Sequence, residues 1–325
     1  MRVAVTGGSG VVGSAVVRHL VAAGHEVRAL ARSPEASAML DDLGASVIHG
    51  DIFDGDTLDR MVKGCHHAFH IAGVNELCPR DPSRMWKVNV EATLGVLAAG
   101  ARAGVGRFIH TSSAVTIGAE QWRVGSEESR HRGHFLSEYE RSKTVAERLV
   151  FDSARDIEVV SVNPSSVQGP GRSTGTGALL LATARGSLPV LVDTTVSMVD
   201  IDDCARGHLL AAERGRSGDR YILSGVAITI RDFVTALNRV LGRARRPWFI
   251  KPQAVTAIAP VVAAGFRVVG RPSPLCPESA RVLLNGHVYD GAKATRDLGL
   301  DYTPLEHTLS RTLDWFRSEG LISGV

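Results

Sequence analysis

The sequence predicts an α/β fold with a doubly wound parallel sheet of the Rossmann type and a smaller C-terminal lobe. Short apolar segments alternate with helical patterns through the first half of the 325-residue chain, as expected for buried strands joined by crossover helices. A glycine-rich turn follows the first apolar segment and opens the first helical pattern. Ligands bind such sheets at the carboxyl ends of the strands, so we expect the Pro-rich second half to form a lobe that closes over those ends.

Hydrophobic periodicity places the elements of the first half. Strands are expected at 3–5, 27–30, 47–48, 68–71, 108–111 and 159–162. Helices are expected at 11–23, 34–43, 57–62, 82–103 and 137–152. The alternation of the two predicts parallel strands with helices on both faces of the sheet.

The second half is less regular. Glycines between 169 and 177 predict a long loop after Pro164. Further strands and helices are expected near 197–212, 228–241 and 305–319. We therefore expect a Rossmann domain over 1–163, to which segments near 195–230 return, and mainly a substrate-binding lobe over 164–325.

Composition and spacing argue against several function classes. The net charge is only +3 with His neutral and like charges do not cluster, so nucleic acid is not an expected partner. The apolar stretch 254–269 is too short and interrupted to span a membrane. Histidines lack acidic partners at metal-ligand spacing, so no metal site is expected, and no G-x-S-x-G motif supports serine hydrolysis. The cysteines are interpreted as four scattered thiols of a reduced, cytoplasmic protein: Cys65, Cys78, Cys204 and Cys276.

The first turn reads Thr6-Gly7-Gly8-Ser9-Gly10-Val11-Val12-Gly13. Glycines let the backbone turn tightly and approach a pyrophosphate, which then binds the N-terminus of the following helix. A glycine-rich turn alone is weak evidence, but here it lies between a strand and a helix. The expected cofactor contacts are Gly7, Ser9, Gly10, Val11, Val12 and Gly13.

The end of the second strand favours NADP over NAD. An NAD enzyme usually carries an acid there, which accepts a hydrogen bond from the ribose 2′-hydroxyl. Arg32 lies 19 residues after Gly13, and its guanidinium would pair with a 2′-phosphate. Arg32 and Ser33 are therefore expected to bind the cofactor; the alternative is that Arg32 is a solvated surface residue.

The next two strand ends add expected cofactor contacts. Asp51 can accept from the adenine amino group and Ile52 can cover the ring; the alternative for Asp51 is a carboxylate that caps the next helix. Ala72 and Gly73 leave room for the cofactor after the fourth strand. His70 is expected to be a packed strand residue rather than a catalyst.

The candidate catalytic groups lie in the middle of the chain. Tyr139 and Lys143 are four residues apart on a predicted helix and share one face. An ordinary tyrosine, with a pKa of about 10, is a poor proton donor or acceptor near neutral pH, and a nearby ammonium would lower that pKa. Ser113 precedes Tyr139 by 26 residues and follows the strand end at Thr111. We expect Ser113 to bind the substrate oxygen, with Ser112 as the alternative.

Together these motifs resemble the extended short-chain dehydrogenase/reductase family, in the NAD-dependent epimerase/dehydratase superfamily. The branch that the chain most resembles holds dihydroflavonol-4-reductases and cinnamoyl-CoA reductases, as indicated by Arg32 and the segment 163–170. The resemblance covers nearly the whole chain. The matching segments are 6–13, 50–51, 88–93, 111–118, 139–143, 163–164, 199–208 and 218–223.

The resemblance implies a role for each matching residue. Ser113, Tyr139 and Lys143 would be the catalytic residues, and Tyr139 and Lys143 would also contact the cofactor. Further cofactor contacts would come from Thr111, Pro164 and Val167, and Asn89 would be a structural or relay residue. Two departures stand out: segment 194–199 lacks the arginine with which nucleotide-sugar members grip a pyrophosphate, and Asp200 stands where the motif often has a histidine.

The predicted function is an NADPH-dependent reductase of a ketone or aldehyde on a hydrophobic, aromatic or polyketide-like small molecule. Tyr139 would donate the proton. Two alternatives stay open: a nucleotide-sugar epimerase or dehydratase that retains NAD(P), and a non-catalytic NADP-binding sensor. The resemblance also implies a homodimer that forms through the helices at 82–103 and 137–152.

Overall fold

The computed structural model describes residues 1–268 and 276–322. Its strands, in chain order, are β1 (Arg2–Thr6), β2 (Glu26–Ala31), β3 (Ser46–His49), β4 (His67–His70), β5 (Arg107–Thr111), β6 (Val124–Gly125), β7 (Glu158–Pro164), β8 (Ser166–Gln168), β9 (Val190–Val192), β10 (Thr195–Asp200), β11 (Arg220–Leu223), β12 (Val226–Thr229), β13 (Trp248–Ile250) and β14 (Val288–Tyr289).

The helices alternate with these strands through the first half. They are α1 (Val11–Ala22), α2 (Pro34–Asp42), α3 (Gly55–Val62), α4 (Ser83–Trp86), α5 (Thr93–Arg102), α6 (Glu138–Ser153), α7 (Thr176–Arg185), α8 (Ile201–Arg214), α9 (Ile230–Leu241), α10 (Pro252–Val268), α11 (Pro277–Asn285) and α12 (Leu305–Ser318). A 3₁₀ turn covers Ala114–Ile117, and π-helical segments cover Lys87–Ala92 and Ala294–Leu298.

The large sheet has seven strands in the order β11-β7-β5-β4-β1-β2-β3. All of its neighbouring strands are parallel, so the predicted doubly wound α/β class is confirmed. From β1 the chain builds outward through β2 and β3, and β4 starts the other half on the opposite side. The crevice where the strand order reverses therefore lies at the carboxyl ends of β1 and β4.

Two apolar layers cover this sheet. Val3 and Val5 pack on one face against α1 and α8, whereas Ala4 packs on the other face against α3 and α5. Successive strand residues point to opposite faces, so β1 is buried on both. Both layers exclude water and hold the strand ends, and the turns that follow them, in fixed positions.

The second half builds its own apolar cluster. Residues of α7, α9 and α12 pack together, with Phe233, Leu313 and Phe316 at most 1% exposed. A small sheet in the order β12-β10-β8 lies in this half, whereas β11 joins the edge of the large sheet beside β7. The division into a Rossmann domain over 1–163 and a lobe over 164–325 stays a prediction.

Two helical predictions need correction. The helix expected at 82–103 is interrupted by the π-helical segment Lys87–Ala92 between α4 and α5. The loop expected from the glycines at 169–177 ends early, because α7 begins at Thr176. A Cβ at Gly177 would lie 2.4 Å from the Arg172 carbonyl oxygen, so that glycine marks a close contact rather than a loop.

The apolar stretch expected over 254–269 falls in α10, and its last residue lies outside the described ranges.

The interpretation of all four cysteines as thiols is wrong for two of them. Cys78 and Cys276 form a disulfide across 198 residues of sequence, and Cys65 and Cys204 are buried free thiols. The N-terminus of α11 packs here against the loop after β4, a contact that spacing along the chain does not reveal. Glu278 strengthens it, because its carboxylate accepts from the Cys78 amide at 2.5 Å and from the Glu138 amide at 3.0 Å.

Neither a membrane-spanning helix nor a candidate metal site is found among the described residues. None of their helices combines the length and hydropathy needed to cross a membrane. In the same part of the chain, no three potential metal-binding side chains of His, Cys, Asp or Glu come together as a candidate metal site.

Candidate active site

The turn after β1 is packed directly on its neighbours. Gly7 has a φ of +72°, and a Cβ there would lie 2.4 Å from the Ala72 amide nitrogen. A Cβ at Gly13 would lie 1.9 Å from the Gly7 carbonyl oxygen. Only glycine fits at either position, because the clash would be with backbone atoms. Gly7 and Ala72 are thus brought together, and Gly73 follows as an exposed residue.

The N-terminus of α1 fits a pyrophosphate. Its N-cap is Gly10, which makes no side-chain capping bond, and its first turn carries no acidic residue. The first-turn amides of a helix attract an oxyanion when no side chain competes for them. Ser9 and Gly10 are exposed, and Val11 and Val12 are partly so, which leaves the predicted cradle accessible.

A cavity of about 420 Å³ opens beside this cradle. Its walls come from the glycine-rich turn, the loop after β8, α8 and α12. The residues that line it include Ser9, Gly10, Val11, Pro170, Gly171 and Ile201. The cradle therefore faces open space rather than packed protein.

The residues that follow β2 lie where the sequence placed them. Arg32 is exposed directly after the strand. Ser33 is the N-cap of α2, and its hydroxyl accepts from the Ala36 amide at 3.3 Å. Sequence reasoning missed this capping role. Because the Ser33 hydroxyl accepts in the capping bond, its proton stays available to another acceptor.

Asp51 does not cap the next helix. The N-cap of α3 is Asp54, whereas an Asp51 carboxylate oxygen accepts from the Phe53 amide at 3.0 Å. Asp51 is exposed and Ile52 is partly buried. The capping alternative is therefore wrong, and both residues border the carboxyl end of β3 as expected.

The start of α6 fixes the position of Tyr139. Ser137 is the N-cap, and its hydroxyl accepts from the Glu140 amide at 3.1 Å. Glu140 is 2% exposed, pairs with Arg132 and accepts from the Leu136 amide at 3.1 Å. Burial raises the pKa of Glu140 to about 7 in spite of the Arg132 charge. These bonds tie the first turn of α6 to the segment before it.

The two candidate serines have different surroundings. The Ser113 hydroxyl lowers the pKa of Tyr139 and accepts from the Val115 amide at 3.5 Å. Ser113 is also the N-cap of the 3₁₀ turn after β5. The Ser112 hydroxyl is buried and has no hydrogen-bond partner among the described residues. The geometry therefore favours Ser113 as the hydroxyl that acts with Tyr139.

The expected lowering of the pKa of Tyr139 by Lys143 is not found. Burial of the phenol raises its pKa, and the opposing effects come from Ser113 and from the charge of Arg172. The Lys143 ammonium instead donates to the Thr111 carbonyl oxygen at 2.7 Å. Lys143 is 3% exposed, and burial lowers its own pKa to about 8, opposed by the carboxylate of Glu147. Tyr139 is thus held in its protonated form near neutral pH.

Glu147 is a buried carboxylate that the sequence reasoning missed. It lies one turn beyond Lys143 on α6 and is 5% exposed. Its oxygens accept from Thr116 at 3.2 Å, Ser161 at 2.9 Å, Asn163 at 2.6 Å and Arg220 at 3.3 Å. The sequence did carry a signal for Glu147. It follows Lys143 by four residues and Tyr139 by eight, so all three share one face of the helix.

Asn89 has a structural role. Its side-chain oxygen accepts from the Val74 amide at 2.8 Å, and its side-chain nitrogen donates to the Val74 carbonyl at 2.9 Å and to the Ser142 hydroxyl at 2.9 Å. Asn89 lies in the π-helical segment Lys87–Ala92 and is fully buried. It fastens the chain after β4 to the helix that carries Tyr139.

Two further positions are occupied by packed residues. His70 lies between the hydroxyls of Thr6 and Thr93, 2.8 Å from each, and burial lowers its pKa to about 3. It is the neutral strand residue that the sequence predicts. Asp200 caps α8 and accepts from the Thr308 hydroxyl at 2.7 Å, so it anchors α12 rather than serving the site.

The remaining predicted contacts are at the strand ends. Thr111 ends β5, and its hydroxyl lies 2.9 Å from the His208 ring, a contact that the sequence did not suggest. Pro164 ends β7, and Val167 in β8 pairs with Val199 and is 6% exposed. Both Pro164 and Val167 are buried, so any ligand would touch their surfaces only at the edge of the site.

Comparison with known proteins gives consistent matches. The model of the NAD dependent epimerase/dehydratase family matches residues 3–224. A protein of Synechocystis sp., provisionally named dihydroflavonol 4-reductase, is 31% identical over 327 residues, which cover 98% of this chain and 95% of that protein. Cinnamoyl-CoA reductase 1 of Oryza sativa subsp. japonica is 27% identical over 98% of this chain and 91% of its own length. The crystal structure of gox2253 has a TM-score of 0.87 and 31% identity, and covers 99% of both chains.

We expect Lys143 to titrate near pH 8. Burial disfavours its ammonium and lowers its pKa to about 8. Lys143 is therefore still protonated at pH 7, and it loses its proton as the pH rises through about 8, well before an exposed lysine does. The chain has only five lysines, so NMR of protein labelled with ¹³Cε-lysine resolves them, and the Lys143→Arg variant identifies the resonance. A Lys143 resonance that titrates with the exposed lysines would contradict this account.

Proposed function

We propose that this chain, which belongs to the NAD-dependent epimerase/dehydratase family, is an NADPH-dependent reductase of a ketone or aldehyde on a hydrophobic small molecule. Family membership and reductase relatives make it an NAD(P)-dependent oxidoreductase. The observation that carries the proposal is the grouping of three side chains: the Ser113 hydroxyl lowers the pKa of the Tyr139 hydroxyl, and the buried Lys143 ammonium, one helix turn farther along α6, is bonded to the Thr111 carbonyl at the end of β5.

The protein supplies the proton and holds the carbonyl oxygen. A bound NADPH would supply the hydride that adds to the carbonyl carbon. Ser113 donates a hydrogen bond to the carbonyl oxygen, and Tyr139 transfers its hydroxyl proton to that oxygen as it gains negative charge. Because burial raises the pKa of Tyr139, the phenol is protonated at neutral pH. A protonated phenol suits reduction, which consumes a proton.

Lys143 acts through its charge and its position. In the structure it donates to the Thr111 carbonyl at the end of β5, which places the ammonium beside the strand ends. The same group would bind the nicotinamide ribose. The Glu147 carboxylate, which raises the pKa of Lys143, favours this charged form.

The preference for NADPH rests on Arg32. It is exposed at the end of β2, where a 2′-phosphate would lie in a sheet of this order. Glu35 is a nearby carboxylate, and its pKa is lowered chiefly by the Ser33 hydroxyl. The Arg32 guanidinium is thus the group at this strand end that suits a dianionic phosphate.

The substrate class is supported by β10 and by the relatives. Thr194 donates to the Leu283 carbonyl at 2.8 Å and Ser197 to the His287 carbonyl at 3.1 Å, so this segment is bonded to α11 and the chain after it. It supplies no cation for a nucleotide-sugar pyrophosphate. The relatives named for dihydroflavonol and cinnamoyl-CoA reduction favour an aromatic or polyketide-like carbonyl. The epimerase alternative has less support.

Location and assembly stay predictions. The cytoplasm was expected in part from cysteines interpreted as thiols, and the Cys78–Cys276 disulfide removes half of that support. A homodimer through α4, α5 and α6 was implied by the family resemblance. Neither expectation is needed for the proposed chemistry.

Replacing Tyr139 with Phe should lower kcat for carbonyl reduction by roughly 10²- to 10⁴-fold, because the proton donor is lost. NADPH affinity, measured by fluorescence titration, should change little. The matched control is Tyr221→Phe, which removes a hydroxyl that accepts from the Arg216 amide outside the site. Full turnover by the Tyr139→Phe protein would refute the mechanism.

Replacing Arg32 with Asp should reverse the cofactor preference. Loss of a charge-assisted pair with the 2′-phosphate, and repulsion by the new carboxylate, should lower the NADPH-to-NADH ratio of kcat/KM by about 10- to 100-fold. Arg32→Lys keeps the charge and should retain part of the preference. An unchanged ratio in the Asp variant would show that Arg32 does not bind the phosphate.

A further inference from the structure

Arg172 places a positive charge in the active site that the proposed mechanism does not use. It follows the Gly169-Pro170-Gly171 turn after β8, and its amide donates to the Gly169 carbonyl at 3.2 Å. Its Nε is buried and has no hydrogen-bond partner within residues 1–268 and 276–322. No carboxylate in the part of the chain that the structure describes pairs with its guanidinium.

The loop holds this side chain toward the site. Ideal Cβ atoms would lie 3.1 Å from Arg172 Nη2 at Gly175 and 2.7 Å from Arg172 Cγ at Gly177, so two glycines leave the space that the side chain fills. The charge of the guanidinium lowers the pKa of Tyr139, and Tyr139 in turn raises the pKa of Arg172.

The same loop touches the glycine-rich turn. An ideal Cβ at Gly171 would lie 3.9 Å from Val11 Cγ1, and both Gly171 and Val11 line the cavity beside the α1 N-terminus. Arg172 therefore follows directly on a residue that lines the cavity beside the cradle, and its charge acts on the candidate proton donor.

A partly buried guanidinium whose Nε is shielded from water and has no partner is unfavourable in the protein alone. Removing a cation from water is costly unless an anion or several acceptors replace the water, and burial accordingly lowers the pKa of Arg172. Other partly buried arginines are paired: Arg132 with Glu140, and Arg311 with Asp202. The missing anion at Arg172 is therefore one that arrives with a ligand, and a planar guanidinium matches a carboxylate or phosphate.

We propose that Arg172 binds an oxyanion of a ligand in the active site. The oxyanion belongs either to the cofactor pyrophosphate or to an acidic group of the carbonyl substrate. Both would offer anionic oxygens to the guanidinium. In the second case the substrate is an acidic ketone or aldehyde rather than a neutral one. The inference rests on the proposed function for the identity of these ligands.

The test compares Arg172→Leu and Arg172→Lys with the unsubstituted protein by calorimetry. One arm titrates NADPH. The other saturates the protein with NADP⁺ and titrates 3-oxo-3-phenylpropanoate or its uncharged ethyl ester. Binding is read without turnover, so failure of the reductase proposal does not obscure the result. Thermal unfolding provides the control, because removing a partly buried cation that has no partner should leave the midpoint unchanged or raise it.

Each outcome decides the proposal. If the cofactor supplies the oxyanion, Arg172→Leu should weaken NADPH binding at least 10-fold and Arg172→Lys less. If the substrate supplies it, NADPH affinity should stay within 2-fold while the preference for the acid over the ester falls at least 10-fold. Unchanged affinities for NADPH and for the oxo acid in both variants would overturn the proposal. So would the absence of any binding of these ligands to the unsubstituted protein. So would a lower unfolding midpoint for Arg172→Leu with no change in binding, since that marks a structural residue.

Discussion

The arrangement of the site depends on the buried carboxylate of Glu147. Its four hydrogen-bond donors come from the 3₁₀ turn after β5, from β7 and from β11. One side chain on α6 thus connects the helix that carries Tyr139 and Lys143 to the turn that begins at Ser113. Removing one partner from a buried charged network typically costs 3–5 kcal/mol. We infer that the network holds the catalytic hydroxyls in register and compensates the Lys143 charge.

The charges around Tyr139 are divided between two cations. Lys143 is bonded to the Thr111 carbonyl, and Arg172 is the cation that favours the Tyr139 phenolate. Burial nevertheless prevails and raises the pKa of the phenol. A protonated phenol beside a serine hydroxyl is a proton donor, so the electrostatics favour reduction. Family membership alone does not decide between net reduction and an epimerisation that returns the hydride.

Local patterns predicted the parts of the molecule that local physics determines. The parallel sheet, the turn at Gly7 and the helix that carries Tyr139 and Lys143 followed from periodicity and from motifs at strand ends, and the family resemblance is confirmed. The Cys78–Cys276 disulfide and the environment of Arg172 were missed, because they depend on how α11 and the loop after β8 pack across the chain.

The most direct test of net reduction is the fate of the hydride. The protein would be incubated with NADPH deuterated at both C4 positions and a panel of aromatic ketones and aldehydes, with sugar nucleotides in parallel. We predict one deuterium on the carbinol carbon of the alcohol and one NADP⁺ for each alcohol formed. Conversion of a sugar nucleotide with no net loss of NADPH, and no deuterium in any alcohol, would contradict the account and place the protein among the epimerases.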